Sequence, residues 1–79
     1  MYTVNYCLDM ATAEIDKLEY DEIFTLKDLF KGYEWNRISR GDRIALGTMF
    51  LNYAKANKAI LLLGKSKSGQ QRYKKIDLG

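Results

Sequence analysis

Histidine is missing from this 79-residue sequence, and cysteine occurs once, as Cys7. The usual zinc sites and the serine–histidine or cysteine–histidine pairs of nucleophilic enzymes depend on imidazole groups, so their usual forms are excluded. A single cysteine cannot form a disulfide within the chain, which favours a cytoplasmic protein over a secreted one. We therefore expect no metal site, no catalytic residues and no cofactor.

Long apolar segments are missing as well. The longest apolar run, residues 59–63, is far shorter than the roughly 20 residues that span a bilayer, and no signal peptide precedes it. Apolar residues nevertheless make up 47% of the chain, enough for a modest core. The composition predicts one domain over residues 1–79 and no membrane partner.

Charge is unevenly distributed along the chain. Residues 1–34 hold eight acidic and three basic side chains, a net charge of −5, whereas residues 35–79 hold ten basic and two acidic ones, a net charge of +8. A basic half of a small domain is typical of proteins that bind a polyanion or an acidic protein surface. Lysines can also simply keep a small domain soluble. The positions of the basic residues must therefore decide between a binding surface and a solvent-exposed one.

The first 20 residues form a predicted extension of a strand and a helix. Residues 2–7, YTVNYC, are rich in β-branched and aromatic side chains and indicate a possible short strand. In residues 10–19, Met10, Ala11, Ile15 and Leu18 recur at helical spacing, with acidic residues on the opposite face. We expect a first helix there.

Residues 21–57 are predicted to form a helix–turn–helix. Thr25 and Asp28 have the spacing of a capping box, and Gly32 is a natural helix stop, so FTLKDLFKG indicates a short helix. Ser39 and Asp42 repeat the cap spacing at the start of a long helix that runs to about residue 57. Trp35 and Ile38, between the two helices, are expected in the core.

The long helix divides into two faces at 100° per residue. A small and polar stripe is formed by Gly41, Ala45, Thr48, Asn52 and Lys55. Gly47 falls inside the apolar arc, which predicts a close approach by another backbone. The apolar arc consists of Ile44, Leu46, Met49, Phe50, Leu51, Tyr53 and Ala54.

Residues 58–77 are predicted to form a β-hairpin. KAILLLG lacks polar alternation and indicates a strand that is buried on both faces, SKSG supplies turn residues, and QQRYKKI indicates the returning strand. Gly64, Lys65 and Ser66 match the end of a phosphate-binding loop. The first glycine of that motif would stand at position 59, which is alanine, and the segment leads into a strand rather than a helix.

The order of helix, short helix, turn, long helix and basic hairpin is typical of a winged helix-turn-helix domain of the α+β class, with three helices and a C-terminal hairpin as the wing. The second helix of such a pair enters the major groove, where asparagine pairs with adenine and small side chains contact thymine. Lysines of the wing bind phosphates. Arg43, Lys58 and Lys75 extend the basic patch. The predicted nucleic-acid contacts are Arg40, Ala45, Thr48, Asn52, Lys55, Lys65, Lys67, Arg72 and Lys74.

The segments FTLKDLF, EWNRISRGDRIALGTMF and a KSKSG hairpin followed by tyrosine resemble a small domain family of unknown function. This family is common on plasmids, integrative cassettes and phages of Gram-positive bacteria. The resemblance covers roughly residues 20–76 and implies a winged-helix-like fold with a DNA-associated accessory role. Its markers are Phe24, Leu29, Phe30, Trp35, Arg43, Leu46, Gly47, Phe50 and Tyr73.

Two functions remain open from the sequence. The first is a non-catalytic DNA-binding accessory or regulatory protein of a mobile genetic element, acting in replication, transfer or transcription. The second is a protein-interaction module that binds a polymerase, another replication enzyme or a host defence complex, as an anti-CRISPR-like inhibitor does. An enzyme is disfavoured, because carboxylates such as Asp9, Asp16 and Glu19 occupy surface positions without converging partners. The oligomeric state is not determined by these patterns.

Overall fold

A computed structural model describes residues 2–79. Over these residues the chain forms an α+β fold in which an antiparallel sheet of three strands, in the order β1-β3-β2, packs against helices. In chain order the elements are α1 (Val4–Ile15), β1 (Ile23–Thr25), a 3-10 helix (Leu26–Leu29), α2 (Gly32–Asn36), α3 (Arg40–Ala56), β2 (Ile60–Lys65) and β3 (Gln71–Lys75).

Helix α1 occupies the segment for which we expected a short strand, so that expectation is wrong. The hydroxyl of Thr3 accepts a hydrogen bond from the Tyr6 N–H at 3.1 Å and caps the helix. Cys7, Ala11 and Ile15, at successive turns, are all buried in the core. This packing outweighs the strand preference of the β-branched and aromatic residues, and it starts the helix earlier and ends it earlier than residues 10–19.

The segment predicted as one short helix forms the end of a strand, a 3-10 helix and the start of α2. Phe24 pairs with Tyr73 of β3, so the chain is extended up to Thr25, and only the 3-10 helix follows. The Thr25 N–H donates to the Asp28 carboxylate at 2.9 Å, which is one of the two hydrogen bonds of the predicted capping box. Gly32 begins α2 instead of ending a helix, because the Lys31 N–H donates to Glu34 at 2.8 Å and opens a new turn there.

Helix α3 begins at the predicted cap, where the Ser39 hydroxyl accepts from the Asp42 N–H at 3.2 Å. The predicted stripe is confirmed, since all its residues are exposed. Two details of the apolar arc are wrong. Ile44 is 64% exposed, and a Cβ atom built on Gly47 would meet no atom of another described segment within 4 Å.

Aromatic contacts connect α3 to the sheet. The rings of Phe50 and Tyr73 meet edge to face with their centroids 5.1 Å apart, and the Tyr73 ring stacks on that of Phe24 at 5.6 Å. Leu46 and Ile38 are buried in the same core, as expected. Trp35 is only partly buried and packs against the edge of this core, 5.7 Å from Phe30.

The predicted hairpin is confirmed. Leu61 pairs with Lys74 and Leu62 with Tyr73, and the register shifts between Leu62 and Lys65. In the turn, Gly69 adopts a φ of +84°, a conformation that favours glycine. The expected burial of β2 on both faces is wrong: Leu61 is 46% exposed, because the sheet buries one face against α3 and leaves the other open.

Candidate nucleic-acid interface

A cleft of about 590 Å³ separates α3 from the hairpin. Arg40, Ile44 and Thr48 of α3 line one side, and Lys65 and Gln70 of the hairpin line the other. The cleft exists because Tyr73 anchors β3 to Phe50 while the hairpin turn projects beyond this contact. Thr25, Leu26 and Lys27, where β1 passes directly into the 3-10 helix, also line the cleft.

The charge of the cleft has one sign. Lys27, Arg40, Arg43 and Lys65 line it, and none of the described residues around it is acidic. Several basic groups around one concave surface focus a positive potential that attracts anions. Apolar and aromatic side chains, including Trp35, are also part of the lining. The arrangement suits a ligand with anionic groups that contact the basic side chains and with apolar or planar groups that contact the apolar and aromatic ones.

Arg43 is held in the wall of the cleft. Its Nη2 donates to the Trp35 carbonyl at 2.8 Å, and its guanidinium lies 5.2 Å from the centroid of the Trp35 ring. Its Nε is buried and has no hydrogen-bond partner among residues 2–79. Arg43 thus contributes charge to the cleft from a fixed position, although the sequence indicated a surface arginine of the basic patch.

The polar stripe of α3 continues from the cleft along the helix. Arg40 and Thr48 lie on the cleft itself, and the Thr48 hydroxyl also approaches the Ile44 carbonyl at 3.4 Å. Ala45, Asn52 and Lys55 are exposed outside the cleft lining. Asn52 follows Thr48 by one helical turn, about 6 Å along the axis. A ligand that extends out of the cleft along α3 would therefore contact Asn52 next.

The basic residues of the hairpin are divided between the two faces of the sheet. Lys65 lines the cleft and Lys67 is exposed in the turn. Side chains alternate along a strand, so Arg72 and Lys74 face away from the side on which Tyr73 lies. The Arg72 Nε donates to the Gly64 carbonyl at 2.9 Å, and the Lys74 ammonium lies 4.0 Å from Asp21.

Lys75 has a local structural role. Its ammonium donates to the carbonyls of Ile15 and Leu18, at 3.0 Å and 2.7 Å, just where α1 ends. Such a cation satisfies carbonyls that the helix itself leaves without partners. Of the predicted contact residues, the structure brings Arg40, Thr48 and Lys65 together around the cleft. Lys75, which was predicted only as part of the basic patch, is bound to the end of α1.

The cleft lining includes Lys27, Trp35, Gln70 and Gln71, which were not predicted as contacts. The two glutamines directly follow the turn of the predicted hairpin, and this position beside the turn was the available signal for them. Lys27 had no such signal, because only the pairing of β1 with β3 brings it to the cleft. Trp35 was assigned to the core on its size alone.

Among residues 2–79, no group of three or more acidic or cysteine side chains is arranged to hold a metal ion. Within the part of the chain that the structure describes, every helix is too short or too polar to cross a bilayer.

Residues 9–75 match the family described as a domain of unknown function, DUF1413. The chain belongs to this family. No curated protein matches the sequence. Among solved structures, the chain is similar to one named "SCCmec type IV LP1413 - nucleic acids binding protein", with 23% identity and a TM-score of 0.76 over 96% of this chain and 89% of that one. At this identity the likeness establishes a shared fold.

The DUF1413 match begins within α1 and ends at the last residue of β3. It therefore reaches further towards the N-terminus than the resemblance over residues 20–76. Together with the burial of Cys7, Ala11 and Ile15, this makes α1 part of the family's domain. The cleft residues from Thr25 to Tyr73 all lie within the matched range.

Proposed function

We propose that this DUF1413 protein is a non-catalytic DNA-binding module that acts through a winged helix-turn-helix surface. Helix, strand, short helical segments, long helix and hairpin follow one another in winged-helix order. The pairing of β1 with β3 in the sheet order β1-β3-β2 is consistent with that topology. In this arrangement α3 is the recognition helix and residues 66–70 form the tip of the wing.

The observation that carries the proposal is the single-sign cleft between α3 and the wing. Lys65 on the wing and Arg40 on α3 face the same space, and the polar stripe leads away from it through Thr48. Phosphates near the cleft gain favourable contacts with the basic groups, while the stripe meets base edges. Lys67 at the wing tip adds a further phosphate contact.

A role on a mobile genetic element is the biological part of the proposal. The resemblance to a family of plasmids, cassettes and phages motivates it, and the structural neighbour's name, which includes SCCmec and nucleic acid binding, supports it. In this role the protein assists replication, transfer or transcription by holding DNA. The cleft would contribute charge and apolar surface to DNA binding and no reacting group.

Salt dependence of DNA binding tests the proposal. The parent protein should bind duplex or single-stranded DNA, and the logarithm of its affinity should fall linearly with the logarithm of salt concentration. The double variant Lys65→Ala/Lys67→Ala should weaken all sequences about equally, with a slope flatter by up to about one unit for each lost phosphate contact.

The matched control removes two lysines from the acidic half. Lys17→Ala/Lys31→Ala changes the net charge equally, but both positions lie outside the cleft between α3 and the wing. This control should leave the salt slope unchanged. Absence of binding to either DNA form at low salt would refute the proposal, and equal effects of both double variants would refute the assigned surface.

A protein-interaction module is the second candidate. A separate cleft of about 430 Å³ lies between α1 and the segment from Asp28 to Glu34. Met10 and Phe30 provide apolar lining, and the acidic groups of Glu14, Asp28 and Glu34 outnumber the two basic ones of Lys17 and Lys31. A basic segment of a replication enzyme or a defence complex would fit such a surface. This candidate becomes the leading one if DNA binding is absent at low salt.

A further inference from the structure

Ile44 is an exposed aliphatic side chain inside a positively charged cleft. It is 64% exposed, although a side chain of this kind is ordinarily found in a core. Single exposed apolar residues are common on protein surfaces, so the exposure alone is not informative. Its position is. Of the large hydrophobic side chains that are strongly exposed among residues 2–79, Ile44 is the one that lines the cleft between α3 and the wing.

Basic groups surround Ile44. Arg40 precedes it by one helical turn, and Lys65 lines the wing side of the same cleft. Lys27 and Arg43 add two further positive charges, and no described residue of the lining is acidic. An apolar partner without anionic groups would remove water from these charges and return no favourable contact to them. The ligand that contacts Ile44 should therefore carry an apolar group between anionic ones.

The helix surface next to Ile44 has room for such a group. Gly47 follows Ile44 by three residues, so the two lie on the same side of α3, and both line the cleft. A Cβ atom built on Gly47 would meet no atom of another described segment within 4 Å. Leu51 continues the apolar lining one turn later. The surface beside Ile44 is therefore apolar and open enough to admit a methyl group.

DNA carries one aliphatic group at the edges of its bases, the C5 methyl group of thymine, which is displayed in the major groove. The phosphates on either side of a base supply the anionic groups that the basic side chains require. Recognition helices contact base edges through residues near their N-terminus, and Ile44 is the fifth residue of α3. Charge, space and helix position thus favour the same kind of contact.

We propose that Ile44 is a specificity-determining residue that packs against the C5 methyl group of thymine, a role that rests on the DNA-binding function proposed above. The contact removes apolar surface of both groups from water. Phosphates beside the base occupy the basic groups of Arg40 and Lys65. Cytosine and uracil lack this methyl group, so Ile44 favours thymine over both of them without a hydrogen bond.

Replacement of thymine by deoxyuridine tests this contact, because it removes the methyl group and keeps the charge and the hydrogen-bonding groups of the base. The DNA is a sequence selected from a random library, in the strand form that the salt titration identifies, with its thymines replaced one at a time. At the contacted position the parent should bind the deoxyuridine DNA about fourfold more weakly, the factor expected for one buried methyl group.

Ile44→Ala should bind thymine and deoxyuridine DNA about equally, and this cycle of two changes isolates the contact between the two groups. Ile44→Val and Ile44→Thr form a matched pair of similar shape. Only the valine variant should keep part of the preference, because the threonine hydroxyl is polar. Ile23→Ala, at an exposed isoleucine outside the cleft, is the control and should keep the full preference of the parent.

Equal affinity of the parent for thymine and deoxyuridine DNA at every position would overturn the role of Ile44 and leave the DNA-binding function intact. A preference that survives in Ile44→Ala, or that the valine and threonine variants keep equally, would also overturn it. Absence of binding to either DNA form at low salt would instead refute the DNA-binding function and this role together.

Discussion

The guanidinium group of Arg43 lies 5.2 Å from the centroid of the Trp35 ring and donates through Nη2 to the Trp35 carbonyl at 2.8 Å. This pair joins the first turn of α3 to α2 across the connection at residues 37–39. It also forms part of the cleft wall, so the same contact fixes the helix pair and places a positive charge beside the proposed DNA surface.

Replacement of Arg43 should therefore affect stability. We expect Arg43→Ala to lower the free energy of unfolding by about 1–3 kcal/mol, because it removes a charged hydrogen bond and the stacking on Trp35. Arg43→Lys keeps the charge but loses the planar guanidinium, so it should recover part of this loss. Urea unfolding measures both. Arg40→Ala, at an exposed position, is the control and should stay within about 0.5 kcal/mol of the parent; equal stability of both alanine variants would contradict the argument.

The core of α3 gives a second prediction. Phe50 is fully buried against Tyr73, so Phe50→Ala should cost roughly 3–5 kcal/mol, enough to unfold much of a domain this small. Ile44→Ala, at a residue that is 64% exposed, should change the melting temperature little. Thermal unfolding followed by circular dichroism compares them. A Phe50→Ala variant that melts with the parent would show that the orientation of α3 is wrong.

Helix α3 was predictable because its determinants are local. The Ser39–Asp42 cap fixes its start, and the spacing of Leu46, Phe50 and Ala54 identifies the buried face. The width of that face is a different matter, since it depends on how far the neighbouring elements extend around the helix. Ile44 lies just beyond these neighbouring elements, beside the open cleft. The predicted apolar arc therefore includes one residue too many on this side of the helix.

The elements before α3 depend on distant contacts. β1 has three residues and exists through its pairing with β3, near the other end of the chain. No local pattern marks it, and a capping signal at Thr25 and Asp28 indicated a helix in its place. Helix α1 shows the reverse effect, because residues 2–7 have the composition of a strand, yet residues 4–7 fold as the first turn of a helix that packs against α3.

The candidate site was predictable in part. Charge and helical spacing identified Arg40, Thr48 and Lys65, which the fold brings to one cleft. Tyr73 has a side chain typical of a core, and side chains alternate along a strand. This alternation predicts that Arg72 and Lys74 lie on the face of the sheet opposite to Tyr73. Their role as nucleic-acid contacts stays a prediction. The position of Lys27 in the cleft could not be predicted without knowing the strand order of the sheet.

Stability should decrease at alkaline pH. Burial raises the pKa of the Tyr73 phenol above 10.0, and burial, with smaller effects of Asp42 and Glu34, raises the pKa of the Cys7 thiol above 9.0. The fold therefore favours the neutral forms. Their contribution is fully present below these ordinary values and is lost as the pH rises through the higher pKa values of the folded protein.

Urea unfolding between about pH 7 and about pH 11 measures this loss. Tyr73→Phe combined with Cys7→Ala removes both titrating groups, so the free energy of unfolding of this variant should fall less steeply above pH 9.0 than that of the parent. Tyr33→Phe, at an exposed tyrosine, is the control and should keep the parent's slope. Identical slopes in all three proteins would contradict the assignment.

Asn52 tests whether α3 reads bases. Its side chain is exposed, one turn beyond Thr48 on the polar stripe, so Asn52→Ala should change the free energy of unfolding by no more than about 0.5 kcal/mol. If the amide pairs with a base edge, the same change should cost roughly 1–3 kcal/mol of affinity on a sequence selected from a random library, and almost nothing on unselected DNA.

The control for this experiment is Lys55→Ala, at the next position of the polar stripe after Asn52. Loss of a phosphate contact there should weaken binding to every DNA sequence about equally. Asn52→Arg adds a second comparison. It adds a positive charge, so DNA affinity should be kept or increased, whereas docking of the stripe on a protein partner would be disrupted by the larger side chain. Equal loss on selected and unselected DNA after Asn52→Ala would refute base readout by this residue, and a destabilised Asn52→Ala would refute its assignment to the exposed face of α3.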